Sequence, residues 1–318
     1  MEDREPEDRP QAHQPPPDLP GDDEALARFP QLAGPRAVTV LPGGITNRNL
    51  KVETPTGTSV LRISSPSTGL LAIDRDAEHR NAVIAAEAGV GGPVLDYRPG
   101  EGLMLVGWIT GRTLTDEDLR DEATLARVAR TCRRLHAAPP FANRFDMFEV
   151  QARYLATVLE RGFRLPEDYL ALAPRVEQLR AALAVRPEPV VPCHNDLLAA
   201  NILDDGERMW LIDYEYSGTN DPCFELGNIW AEADLPLGHL ELLVSEYYGG
   251  PTPARTARAR LLALMSRYGW TLWASIQDGV STIDFDFWTW GLAKYERAHA
   301  ELLGPDFERL LDQAANGD

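Results

Sequence analysis

The hydrophobic pattern changes character along the chain. Met1 to about Gly21 has none. It is rich in proline and acid, with Pro15, Pro16 and Pro17 in a row, and too polar to bury the apolar surface that would offset its ordering entropy. This segment is expected to be a flexible tail without a part in chemistry. From about Val38, short apolar runs alternate with Gly, Pro and Thr turns, which predicts strands over Val38–Leu41, Leu50–Glu53 and Ser59–Ile63. A helix is predicted over Arg75–Ala88, stopped by Gly89, followed by apolar runs at Pro93–Tyr97 and Leu103–Trp108. After Gly111 apolar residues recur three and four positions apart, predicting helices over Glu122–Ala137, Phe145–Arg161 and Asp168–Val185. A strand-and-loop island at Val190–Tyr216 interrupts them, and helices then resume to the C-terminus. No repeat of fixed period is visible. The pattern implies an α+β chain in three parts: the tail at 1–21, a β-rich N-lobe at 22–110 and a larger α-helical C-lobe at 111–318. The chemistry is expected where the lobes meet.

Composition narrows the classes. Hydrophobic residues make up 44% and charged residues 25%, as in ordinary globular chains. The formal net charge of -18 repels phosphate backbones and anionic lipid, so neither nucleic acid nor a membrane surface is an expected partner. No apolar run is long enough to span a bilayer. The N-terminus has no basic segment followed by an apolar run, so no signal peptide is expected. Cys132, Cys193 and Cys223 are few, odd in number and widely spaced. They read as reduced, buried thiols of a cytoplasmic protein rather than as metal ligands. Nothing in the sequence fixes the number of subunits.

The informative stretch is Cys193-His194-Asn195-Asp196-Leu197-Leu198-Ala199-Ala200-Asn201, followed by the apolar Met209–Ile212 and then Asp213. The spacing His-x-Asp-x4-Asn, with a strand ending in Asp behind it, matches the catalytic loop and metal-binding Asp of protein kinases. Phosphoryl transfer asks the protein mainly to position groups and neutralise charge. Asp196 is the candidate to accept the hydrogen bond of an attacking hydroxyl; with an ordinary pKa of ~4 it would contribute orientation more than basicity. Asn201 and Asp213 supply the hard oxygens that Mg²⁺ prefers. His194 reads as a residue that holds the loop by hydrogen bonding. Taken alone, the triplet also suits a turn with Asn and Asp caps.

With these residues in place, the chain resembles the aminoglycoside phosphotransferase and choline kinase superfamily, and most closely choline/ethanolamine kinases. The resemblance runs from about Leu41 to Arg297. It is carried by Gly43-Gly44-Ile45-Thr46-Asn47-Arg48-Asn49, by His194-Asn195-Asp196-Leu197, by Ile212–Ser217 and by Phe224–Glu232, with Leu135-His136 and Pro139 alongside. It implies a bilobal, protein-kinase-like fold and an ATP-dependent, magnesium-requiring transferase. Gly43, Gly44, Ile45, Thr46 and Asn47 would form the turn over the phosphates, where missing Cβ atoms let backbone N–H groups approach oxygen. The same residues also suit an ordinary hairpin. Arg62 stands on the strand where protein kinases place lysine, and its fork can grip phosphate oxygens. Glu78 on the following helix is placed to orient it. Trp108 and Ile109 fall at the interlobe hinge, where backbone groups would read adenine.

The resemblance also implies a site for a cationic acceptor, enclosed by Tyr216, Glu232, Trp270, Trp273, Phe285 and Trp290. Trp270 and Trp273 share a helix face at their spacing, and a ring face attracts a cation by roughly 0.5–2 kcal/mol. A tryptophan pair at helical spacing also suits a core. Two departures bear on the acceptor. Leu198 stands where choline kinases commonly place a polar residue, and Ala233–Leu237 lacks the aromatic that would close another side. The expected substrate is therefore choline or ethanolamine, with a thiamine-like cation or an aminoglycoside as alternatives. An inactive nucleotide-binding pseudokinase is the alternative of another class.

Overall fold

The computed structural model describes residues 20–42, 47–64 and 66–317. The proline-rich tail therefore lies almost wholly outside the described residues, as do Gly43, Gly44, Ile45 and Thr46. A short helix α1 (Asp22–Ala27) precedes strands β1 (Ala37–Leu41), β2 (Asn47–Thr54) and β3 (Gly57–Ser64). Helix α2 (Arg75–Glu87) follows, then β4 (Val94–Arg98) and β5 (Leu103–Gly107). The strands form one antiparallel sheet in the order β1-β2-β3-β5-β4.

Alternation along the strands decides what each face does. Leu50 and Val52 of β2, Leu61 and Ile63 of β3, and Leu103 and Leu105 of β5 are buried in a small core with Ala25, Leu26, Phe29 and Leu32. Arg62 sits between Leu61 and Ile63 and so projects from the opposite face, toward α2. A slip of one residue would exchange the guanidinium with a leucine. Asp74 caps α2 by accepting from the Ala77 N–H at 2.9 Å. Gly89, at φ 71°, ends it in the left-handed region that glycine tolerates.

Residues 108–111 lead from β5 to β6 (Arg112–Thr113), which already pairs with a C-lobe strand. The C-lobe continues with α3 (Glu122–His136), α4 (Met147–Arg161), α5 (Ala173–Val185), β7 (Val191–Cys193), β8 (Ile202–Asp204), β9 (Met209–Leu211) and β10 (Gly218–Asn220). It closes with α6 (Pro222–Glu232), α7 (Leu237–Tyr248), α8 (Pro253–Val280), α9 (Phe287–Leu302) and α10 (Phe307–Asn316). Most of α8 from Ala257 to Gln277 is buried, as expected of a helix surrounded by other helices. The architecture is the bilobal α+β fold that the sequence predicts. Several boundaries differ, and β2 and β3 begin earlier than expected, at Asn47 and Gly57. The helix expected from Asp168 begins at Ala173, because a proline in its first turn cannot donate into a preceding turn. The helix expected from Phe145 begins at Met147, with Asp146 as its cap. The strand-and-loop island runs on to Asn220, where β10 pairs with β7.

The lobes are tied by polar contacts as well as by the chain. Asn81 of α2, fully buried, donates to Ser217 Oγ at 3.0 Å and accepts from the Ala142 N–H at 2.9 Å. The Leu211 N–H donates to the Val90 carbonyl at 2.7 Å.

Helix α6 crosses α8 at Gly227, where a Cβ would stand 2.2 Å from the Ala259 carbonyl oxygen. Gly227→Ala is expected to lower stability by at least ~1–3 kcal/mol, the usual cost of overpacking against backbone. Urea unfolding with an unchanged midpoint would show that the crossing tolerates a methyl group.

Candidate active site

The site begins where β7 ends. Asn195 and Asp213 both adopt left-handed backbone, at φ 67° and 72°, one on each side of the candidate chemistry. Such conformations are costly for side chains with a Cβ and persist only when their surroundings fix them. For Asn195 the surroundings are explicit. Its side-chain amide donates to the carbonyls of Tyr216 at 3.0 Å and Gly218 at 3.3 Å, and its oxygen accepts from Asn220 Nδ2 at 2.9 Å. Buried Glu225 accepts from the backbone N–H of His194 at 2.9 Å with one oxygen and of Asn195 at 2.7 Å with the other. Burial alone would raise the Glu225 pKa, but the His136 imidazole, 3.3 Å away, and these N–H groups hold it below the usual carboxylate range. His136, Cys193 and Glu225 offer three potential ligand atoms within 4.8 Å of one another, yet both Glu225 oxygens are already engaged in holding the loop.

The rest of the loop is fixed in the same way. Asn201 Nδ2 donates to the Asp196 carbonyl at 2.9 Å, and the Ile212 N–H donates to the Asn201 carbonyl at 3.0 Å. His194 Nε2 lies 2.8 Å from the Ile212 carbonyl. Burial keeps His194 below its ordinary pKa and therefore neutral, which suits a structural role. Asp196, Asn201 and Asp213 are thereby held in neighbouring stretches of backbone.

Between the lobes stands a network of ion pairs. Arg62 Nη1 is 3.0 Å from Glu78 Oε1, and Nη2 is 2.6 Å from Asp213 Oδ1 and 3.0 Å from Glu215 Oε2. Burial works to lower the Arg62 pKa, but Asp213, Glu78 and Glu215 together raise it. Arg75 joins Glu78 at 2.7 Å and Glu215 at 3.2 Å. Asn47 donates to Glu215 at 2.9 Å and accepts from Arg75 Nη2 at 3.1 Å, so its side chain is bound into this network. Trp108 is partly exposed, with Lys51 Nζ 4.9 Å from its ring, and Ile109 packs beside Gly92.

The aromatic residues form a continuous cluster. Tyr216 meets Trp270 edge-on at 4.9 Å, and Trp273 Nε1 donates to the Tyr216 hydroxyl at 2.9 Å. Trp273 meets Trp290 at 5.7 Å, and Trp290 meets Phe285 at 6.4 Å. Tyr216, Trp270 and Trp273 are themselves buried, so these rings are part of the core as well as of the cluster. Glu232 pairs with Lys294, which the sequence reading did not single out. Arg75, Glu215 and Glu225 were also missed as site residues. Glu215 and Glu225 lie within the motif stretches, and Asp-x-Glu after an apolar strand was the available signal; Arg75 and Lys294 carry none.

Asp196 connects the two regions. Burial raises its pKa well above the usual carboxylate range, reinforced by Glu232, then Asp213 and Glu215, and opposed by Lys294. The fold and the residues at the lobe junction are those of the bilobal, protein-kinase-like class. A family model for choline/ethanolamine kinases matches residues 38–237, and the chain belongs to that family. It is 30% identical to ethanolamine kinase 2 of Mus musculus over 287 residues, covering 80% of this chain and 73% of that protein. It is 31% identical to protein LicA of Haemophilus influenzae over 214 residues, which covers 64% of this chain and spans only 61% of that protein. A solved choline/ethanolamine kinase family protein from Mesorhizobium loti superposes with a TM-score of 0.79 at 33% identity, over 93% of this chain and 99% of that one. A solved LicA in complex with AMP superposes with a TM-score of 0.72 at 21% identity, over 88% and 96%.

A carboxyl that binds its proton more tightly when folded loses stability as pH rises through its folded pKa, because the folded state holds the proton longer than the unfolded chain. Asp196→Asn is therefore expected to match or raise the melting temperature at pH 7, with the difference shrinking toward pH 4. Melting curves in which Asn lowers stability at neutral pH would show that the Asp196 charge is well accommodated.

Proposed function

We propose that the protein transfers the γ-phosphoryl group of ATP to the hydroxyl of a small cationic amino alcohol, choline or ethanolamine. One observation carries the reading: Asp196 feels the carboxylates of Asp213 and Glu215 on the nucleotide side and Glu232 on the side of the aromatic cluster. A base so placed can accept the hydrogen bond of a hydroxyl whose cationic end lies among the rings. Its surroundings raise its pKa, which makes the ionised carboxylate a stronger base than that of an exposed aspartate. Tyr216, Glu232, Trp270, Trp273, Phe285 and Trp290 would enclose the cation, and the loop 43–47 with Arg62 would face the phosphates. Trp108 and Ile109 would border the adenine, in N-lobe residues 22–110. The AMP complex of a structural neighbour supports the use of an adenine nucleotide.

The donor set also suits Mg²⁺. Asn201 has its amide nitrogen on the Asp196 carbonyl and so has its oxygen to offer, and Asp213 has one oxygen on Arg62 and a second to offer. These are the few hard ligands this ion prefers. A bound Mg²⁺ would offset phosphate charge; Arg62, held by Glu78, would orient Asp213. Three buried free thiols support a cytoplasmic setting.

Asp196→Ala is expected to lower kcat by at least ~10² with nucleotide affinity largely kept. ADP release should be measured with ATP, Mg²⁺ and choline, ethanolamine, thiamine or kanamycin. Turnover only with kanamycin would replace the amino alcohol by an aminoglycoside. No turnover with any of them would leave an inactive nucleotide-binding protein.

A further inference from the structure

The two features expected to hold the acceptor's cation, a carboxylate and a ring face, are already in use. Lys294 on α9 places its ammonium 2.5 Å from Glu232 Oε2 and 4.3 Å from the centre of the Trp290 ring. Both side chains are largely withdrawn from water, at 13% exposure for Lys294 and 6% for Glu232. The second carboxylate oxygen, Glu232 Oε1, is buried and has no hydrogen-bond partner among the described residues. The lysine thus satisfies half of the carboxylate and leaves the other half as an unanswered acceptor.

The choice of lysine is informative. Of 31 basic residues in the chain, only Lys51 and Lys294 are lysines. The buried or half-buried carboxylates Glu78, Asp213, Glu215, Asp221, Asp204 and Glu301 are all paired with arginine. Arginine binds through a rigid fork suited to permanent pairs, whereas lysine is a point charge on a flexible stem, held here by one carboxylate oxygen and one ring face. A buried carboxylate stripped of its partner is costly, so Glu232 needs a cation beside it. A substrate ammonium can supply the same charge.

We propose that Lys294 is a resident cation that keeps the acceptor's place: the substrate ammonium displaces it from Glu232 and Trp290, and it returns when product leaves. This rests on the reading of the pocket given above. The exchange leaves the charge of the pocket unchanged at each stage. It also sets affinity, because the acceptor binds only the fraction of molecules in which the lysine has left.

With two lysines in the chain, the exchange can be followed directly. The folded protein would be acetylated with an N-hydroxysuccinimide ester, without ATP, and each lysine quantified by peptide mass spectrometry. Choline and N,N-dimethylethanolamine serve as ligands, since neither has a primary amine to consume the reagent. Saturating ligand should raise the rate at Lys294 several-fold and leave Lys51 unchanged. In parallel, Lys294→Met, which keeps the length and removes the charge, should lower the Kd of whichever ligand binds by roughly three- to tenfold in calorimetry. Melting curves of the variant confirm that it is folded. Binding with Lys294 equally or more protected, or a Kd unchanged or raised in folded Lys294→Met, overturns the exchange while leaving the proposed function intact. A wild-type protein that binds neither these ligands nor ethanolamine overturns both.

Discussion

One guanidinium holds the two lobes in register. Arg62 comes from a strand of the small sheet, and its partners come from α2 of the same lobe and from the segment after β9 in the other. Three carboxylates this close would repel one another without a cation among them, and burial magnifies the repulsion. Arg75 supplies the second positive charge, and Asn47 binds both signs. The network is therefore mutually dependent: removing Arg62 would leave buried charges uncompensated and unfasten Asp213, whose left-handed backbone needs fixed surroundings.

The C-lobe solves a second problem of the same kind. An extended loop must carry Asp196 into the junction, and its backbone N–H groups cannot be left unpaired. Glu225 answers two of them from α6, and Asn195 answers the carbonyls of the strand that returns beside it. The rigidity has an electrostatic consequence. Asp196 is partly buried among other acids, which opposes its ionisation. On the proposed function, stability and chemistry would thus pull against each other at this residue.

The aromatic cluster has a double role for a geometric reason. Rings along one face of α8 pack against Tyr216 and against α9, so the wall of the proposed pocket and the core of the lobe would be the same side chains. Such a pocket would be preformed. Its acid is covered in the resting protein by a lysine rather than by solvent.

The sequence by itself determined the class of fold, the order of its elements and the linear grouping of the loop residues. Each of these follows from local rules: period-two and helical alternation, Gly and Pro punctuation, and the spacing His194-x-Asp196-x4-Asn201. It also placed Trp270 and Trp273 on one helix face, and the structure puts Glu78 within 3.0 Å of Arg62. Helix starts at Met147 and Ala173 lie two and five residues beyond the expected ones, because caps and prolines overrule apolar periodicity. Tertiary structure alone decided which charges meet. Glu215 lies 153 residues from Arg62, and Lys294 lies 62 from Glu232. Nothing in the local pattern distinguishes Arg75 or Lys294 from a solvated charge. Their partners are fixed only when the lobes close and α9 packs against α8, because ion pairing depends on distance in space and on loss of water, and neither is written in spacing along the chain.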